Sequence, residues 1–171
     1  GLGRLGRREV RVVIVLGIDI GVTGALAAVD ARGTCSVADL PTVGVDGNRV
    51  VKRKVSAVGV RDLVLGLTRP GDAVLAVIED VHMGMGPGAA ARSSLDLNRG
   101  RIEAVLELLR VTVHAVPPRV WQRWYGIKAK GDALDKARAL YPLAESHLKR
   151  KKDHNRADAL LLAHFGQRTM T

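Results

Sequence analysis

The chain has 171 residues, a length that fits one domain with a core of its own, and 47% hydrophobic residues argue for a folded globule rather than a disordered chain. Lys and Arg number 27 against 17 Asp and Glu, a formal charge of +10, and the pI near 10.5 fits either a polyanionic partner or simply a basic solvated surface. The lone cysteine, Cys35, excludes a disulfide framework and a cysteine-based zinc site, and no apolar run is long enough to cross a bilayer.

Arg4, Arg7 and Arg8 ahead of a short apolar run have the outline of a signal peptide, but Asp19 interrupts that run and strand-like sequence follows. Residues 1–11 are therefore expected to be a flexible basic segment, and residues 1–171 a single domain. Val12 to Asp19 reads as a buried strand, Gly24 to Val29 as a second, Asp30-Ala31-Arg32-Gly33 as a hairpin turn and Thr34 to Asp39 as a third strand. Leu40 to Lys54 is a polar loop or extended edge with a basic cluster, Arg49, Lys52, Arg53 and Lys54. Val55 to Leu67 reads as a helix closed by Thr68-Arg69-Pro70-Gly71, and Ala73 to Ile78 as another buried strand. Met83 to Ala91 is rich in Gly and Ala without periodicity and reads as a mobile loop. Ser93 to Arg110 places Leu95, Ile102, Val105, Leu106 and Leu109 at helical spacing. Val111 to Val116 is a strand, Pro117-Pro118 opens a short helix, and Asp132 to Leu140 and Asn155 to Phe165 are further helices. Three strands in a meander, then strands alternating with helices, predict a mixed sheet with right-handed parallel crossovers covered by helices.

Three places carry chemistry. Asp19, in Gly17-Ile18-Asp19-Ile20-Gly21-Val22-Thr23-Gly24, sits at the end of an apolar strand, where a carboxylate is costly unless paired, hydrogen-bonded or metal-bound. The glycines around it let another backbone or a phosphate come close. Glu79 ends the strand of Ala73 to Ile78, which in a parallel arrangement can lie beside the first. Two carboxylates brought that close repel, and a shared proton or a divalent cation relieves them. His154 and Asp158, four apart at the start of the last helix, share a face. Asp153 or Asn155 can equally be helix caps. An oxygen-rich set with one imidazole suits magnesium or manganese better than zinc, and two such ions can activate water and stabilise the leaving oxygen of a phosphodiester.

Taken together, Gly17-Ile18-Asp19 with Gly24, Ile78-Glu79-Asp80-Val81-His82-Met83, Arg99-Gly100, Pro117 to Trp121 with Gly126, and Asp153 to Asp158 resemble the RuvC class of Holliday-junction resolvases along nearly the whole chain. Lys151 to Leu161 is closer still to the chloroplast and phage resolvases. The resemblance implies an α/β, ribonuclease H-like fold, a five-stranded mixed sheet flanked by helices. It implies a homodimer that binds a four-way junction, needs Mg2+ or Mn2+ with two ions per site, and makes paired symmetric nicks. Asp19, Glu79 and Asp158 match the family acids. For the fourth group the resemblance favours His154, as ligand or as the residue that positions water, with Asp153 and Asp80 in reserve. Asn155 stands where bacterial members place theirs.

Trp121 is followed by Gln122 where the family often has Lys, so Arg123 or Lys128 is expected to supply that cation. His82 stands at the family's aromatic wedge position, and Met83 opens the loop that can insert at a branch point. Lys136, Lys149, Arg150, Lys151, Lys152 and Arg99 complete the expected DNA-contacting set. Expected setting is the cytoplasm of a bacterium or phage-infected cell, or an organelle such as the chloroplast. Alternatives are the same fold acting on RNA–DNA hybrid or flaps, or an actin-like phosphotransferase, whose first phosphate loop also reads Asp-x-Gly-x-Thr.

Overall fold

Val13–Ile18, β1, is the centre of the molecule because it is flanked on both sides by strands and on both faces by helices. A computed structural model describes residues 13–47, 52–81, 88–129 and 131–171. β1 pairs antiparallel with β2 (Ala25–Asp30), which pairs antiparallel with β3 (Cys35–Asp39). On its other side β1 runs parallel to β6 (Ala73–Glu79), and β6 parallel to β7 (Thr112–Val116). The sheet order is thus β3-β2-β1-β6-β7, the mixed five-stranded sheet expected. The β2–β3 turn is tied by Asp30, whose Oδ1 accepts from the backbone N–H of Arg32 and of Thr34, each at 2.9 Å.

Two elements differ from the sequence reading. The stretch read as a polar loop or edge holds a small second sheet, β4 (Thr42–Gly44) against β5 (Arg53–Val55). Three-residue strands are too short for an alternation pattern to announce them. Buried Asn98 anchors this hairpin, its Oδ1 accepting from the Val55 N–H at 2.9 Å. The helix expected from Ser93 begins at Ala89, so the end of the Gly- and Ala-rich stretch is a first turn rather than loop. Residues 82–87 of that stretch, with His82 and Met83, lie outside the described residues, as do residues 1–12, Arg49 and Lys130.

Each sheet face carries its own apolar layer. On one, α1 (Ala57–Leu67) and α2 (Ala89–Leu108) cover Leu16, Ile18, Leu26 and Ile78, and Ile102 and Leu106 of α2 belong to this core, with Leu95 packed on it. On the other, α5 (His154–Thr169) lies along the sheet, with α3 (Pro118–Tyr125) and α4 (Asp132–Leu140) beside it, and Val15, Val77, Trp121, Leu134 and Leu160 in the layer. Two short 3-10 turns, Pro142–His147 and Lys151–Asp153, lead into α5. No helix among the described residues is long and apolar enough to cross a membrane.

α5 reaches the sheet through small residues. A Cβ on Gly17 would sit 2.0 Å from the Ala159 carbonyl oxygen and 2.3 Å from the Ala163 nitrogen. Farther along α5, Gly166 rests on Val77 and Val15. The helix therefore runs opposite to β1, and its first turn overhangs the strand's C-terminal end.

Candidate active site

Register places the first two acids. Ile18 pairs with Ile78 across the parallel β1–β6 ladder, so Asp19 and Glu79 are the next neighbours beyond it, at the C-terminal ends of adjacent strands. Side chains two apart on a strand share a face. Asp19 thus lies on the face of Gly17, and Glu79 on the face of Val77, both under α5. Asp158 sits one residue before Ala159, whose carbonyl covers Gly17, so the first full turn of α5 hangs over that same corner. Ligand crevices at the carboxyl ends of strands are the common arrangement in α/β sheets.

The electrostatics agree with this convergence. Burial raises the Asp158 carboxyl to about 7, and the charges of Asp19 and Glu79 push in the same direction. Glu79 is also raised, first by burial, against a lowering hydrogen bond from Trp121, with Asp19 adding to the rise. Burial raises Asp19 too, opposed by the Gly21 backbone N–H and by nearby His154. Three half-buried acids that resist ionisation, first because they are buried and, for Glu79 and Asp158, because of a neighbouring carboxylate as well, form a site short of positive charge. Among the described residues, no three His, Cys, Asp or Glu side chains already stand at metal-ligating spacing. The donor set nonetheless fits a hard divalent cation: carboxylates of three elements and one imidazole, with repulsion a cation would relieve.

His154 is prepared at one nitrogen. Its Nδ1 lies 3.3 Å from the Lys151 carbonyl oxygen, which can only accept, so Nδ1 carries the hydrogen and the neutral ring keeps its lone pair on Nε2. Asn155 donates to the Thr23 carbonyl at 2.7 Å and Thr23 Oγ1 at 3.2 Å, pinning the β1–β2 turn to α5. Arg156 pairs with Asp39 through two 2.7 Å bonds, from Nε and Nη2, which ties α5 to β3. The glycines near Asp19 serve backbone packing: Gly17 admits α5, and Gly24 admits the Asp19 carbonyl, 2.0 Å from where a Cβ would stand.

The two acids held in reserve are committed elsewhere. Buried Asp153 accepts from the Arg150 N–H at 2.8 Å and from its guanidinium at 2.8 and 3.1 Å, with Arg156 at 3.7 Å; the Arg150 guanidinium above all holds its carboxyl below the usual range. Asp80 accepts from Arg99 at 2.8 Å. Arg99 and Arg150, both expected on DNA, therefore spend part of their charge inside the protein, Arg99 also on Glu103 at 2.9 Å.

The remaining cations divide. Lys128 joins Gln122, His154 and Asp158 around a cavity of about 310 Å³. Lys152 and Arg150 join Thr23, Asn155 and Arg156 around another of about 420 Å³, again bordered by His154. Lys149, Lys151 and Arg123 are exposed, and Lys136 lines a separate hollow with Asp132 and Asp135. Sequence reasoning missed what Trp121 does: its Nε1–H donates to Glu79 Oε1 at 3.0 Å. The one available signal was that a buried indole needs an acceptor.

A sheet of this order, with acids from two adjacent strand ends and the closing helix at one corner, has the ribonuclease H-like fold. More particularly, it is the fold of RuvC. The structure of Thermus thermophilus RuvC matches with a TM-score of 0.52 and 20% identity, covering 91% of this chain and 95% of that one. T. thermophilus RuvC in complex with Holliday junction substrate matches with a TM-score of 0.59 and 17% identity, over 92% of this chain and 97% of that one. In sequence, the chain is 34% identical over 108 residues to the chloroplastic Holliday junction resolvase MOC1 of Chlamydomonas reinhardtii. That match covers 59% of this chain and 12% of the relative's length. No family model matches.

Proposed function

We propose that this chain is a divalent-metal-dependent endonuclease domain that resolves Holliday junctions by paired, symmetric phosphodiester cleavage. The observation that supports this reading is that Asp19, Glu79 and Asp158, distant in sequence, lie close enough that the charges of Asp19 and Glu79 raise the cost of ionising Asp158, and that of Asp19 the cost of ionising Glu79. The fold, that of a RuvC solved with junction DNA, and the named activity of the 34% identical relative support the choice of substrate.

In this mechanism Asp19, Glu79, Asp158 and the Nε2 of His154 would hold Mg2+ or Mn2+, two ions to a site. Bound there, such ions would make a water acidic enough to lose its proton and become the nucleophile, and would supply positive charge for the leaving oxygen. The protein's own work is placement. β1 and β6 set two carboxylates side by side, and α5 brings the third and the imidazole over them. Lys128 on one side of His154 and Lys152 on the other hold the phosphates flanking the scissile one, with Lys149, Lys151, Arg123 and Lys136 farther along the strand. Such contacts give affinity without reading bases, so recognition of the branch comes from shape and from two sites spaced across a homodimer. The setting is a compartment with recombining DNA, the cytoplasm of a bacterium or phage-infected cell, or an organelle.

The test is cleavage of a mobile four-way junction beside three-way, flap, RNA–DNA hybrid and linear substrates, each with and without Mg2+. Paired nicks in the four-way junction that require Mg2+ are the expected result. Preference for hybrid or flap would transfer the same site to a different substrate, and cleavage of none would end the nuclease reading.

A further inference from the structure

The contact between Trp121 and Glu79 is specific in a way that packing alone does not require. Trp121 is 1% exposed and its indole N–H can only donate. The acceptor it finds is Oε1 of Glu79, at 3.0 Å, the acid at the end of β6. That bond occupies one oxygen of the carboxylate, Oε1, and not the other. A glutamate has three side-chain torsions, and ordering them costs free energy wherever it is paid. Here the indole orders them when the protein folds, before any ion arrives. The donated hydrogen also favours the charged form of an acid that burial and Asp19 drive the other way.

One helical turn later, α3 makes a second grip. Tyr125 shares the face of Trp121, four residues on, with ring centroids 6.4 Å apart. Its hydroxyl donates to the Leu161 carbonyl at 2.9 Å. The same hydroxyl oxygen lies 2.9 Å from His164 Nδ1, a second contact between α3 and α5. Leu161 lies three residues beyond Asp158 on α5. One short helix, opened by Pro118 and closed at Gly126, therefore holds a strand-end acid with one aromatic residue and the helix bearing another acid with the next.

We propose that α3 is a positioning element: Trp121 fixes the Glu79 carboxylate and Tyr125 fixes the turn of α5 after Asp158, so that affinity for the divalent ion depends on two residues that do not touch it. This rests on the metal-dependent reading above. Outer-shell partners of this kind change metal affinity or activity by roughly 10- to 100-fold when removed.

The test is Trp121→Phe, which deletes the N–H and keeps an aromatic ring. Mn2+ binding is followed by calorimetry on the protein without DNA, at a temperature where circular dichroism shows both proteins folded. The variant is expected to bind Mn2+ roughly 10- to 100-fold more weakly, to bind junction DNA in EDTA as wild type does, and to regain most of its cleavage rate at saturating metal. Tyr125→Phe should move the Mn2+ constant in the same direction by less. A second measurement leaves the site untouched: the indole N–H signals of the two tryptophans in a 15N spectrum, assigned with Trp124→Phe. Trp124 is 48% exposed, so Mg2+ should shift the Trp121 signal and not its neighbour's. Unchanged Mn2+ affinity in Trp121→Phe, or a Trp121 signal indifferent to Mg2+ that calorimetry shows bound, would overturn the positioning role and leave the nuclease reading standing. Absence of divalent binding by the wild type would overturn both.

Discussion

Replacing Asp158 by Asn should make the metal-free protein more stable at alkaline pH while destroying its activity. The Asp158 carboxyl is raised from 3.8 to about 7, by burial first and then by the charges of Asp19 and Glu79. In the unfolded chain the same group releases its proton near 3.8. Between those values the folded state holds a proton that the unfolded state has lost, so stability falls as pH rises. The favourable contribution is complete below about pH 4 and gone once the pH passes about 7. At about 1.4 kcal/mol per pH unit, the interval amounts to about 4 kcal/mol. Relaxation of the corner and entry of water reduce this, so about 2–4 kcal/mol is the expected penalty at pH 8. Asn is a neutral stand-in for the protonated acid and escapes the penalty. A protein of this size shifts its melting temperature by about 2–4 °C per kcal/mol, which predicts a difference of roughly 5–15 °C in favour of Asp158→Asn at pH 8.

The assay is thermal unfolding of both proteins in EDTA across pH 5 to 8. The two curves should lie closest at pH 5, where roughly a third of the interval between the unfolded and folded pKa values has been crossed, and diverge as pH approaches 8. Adding Mg2+ at pH 8 should reverse the order, because only the wild type gains by binding it. Parallel curves across the range would refute the claim that these carboxylates repel one another at a common corner. A variant less stable than wild type at pH 8 would refute it more directly.

Asp19→Asn should abolish cleavage of a four-way junction while leaving its binding in a gel-shift assay, because a ligand charge is lost and the basic surface is not; cleavage at the wild-type rate would place the chemistry elsewhere. Junction affinity measured by fluorescence anisotropy should fall steeply with salt, with a log–log slope of several units in magnitude, and a flat response would remove the phosphate-tracking surface. Gly17→Ala should fail to fold or lose on the order of 3 kcal/mol or more in urea unfolding, since backbone atoms of α5 stand where the methyl would go; a loss under about 0.5 kcal/mol would mean that α5 does not sit directly on β1.

How far the sequence alone could lead depended on whether the deciding contact was local. The five sheet strands and the helices were readable because burial on a sheet or helix face writes a period into the chain. Asp19 and Glu79 stood out because each ends an apolar strand, where a carboxylate has no cheap structural reason to be. β4 and β5 were lost because three residues hold too little pattern, and their anchor is Asn98, 43 residues from Val55. Asp153 stood in reserve behind His154; its capture by Arg150 depends on a 3-10 turn that composition does not encode. Arg99 read as a free cation because Asp80 is 19 residues away.

Trp121 marks the sharper limit. It is a core residue, buried in the layer under α5. Its second role exists only because β6 ends where α3 passes, 42 residues apart in sequence. An acid that must hold an ion has to be both exposed enough to reach it and fixed enough to wait for it. In the proposed arrangement those demands fall to different elements: the strand end presents Glu79, and a buried indole hydrogen-bonds it. A residue recruited to restrain another carries no chemical signature of its own, so the outer support of such a site becomes visible only once the strands and helices are in place.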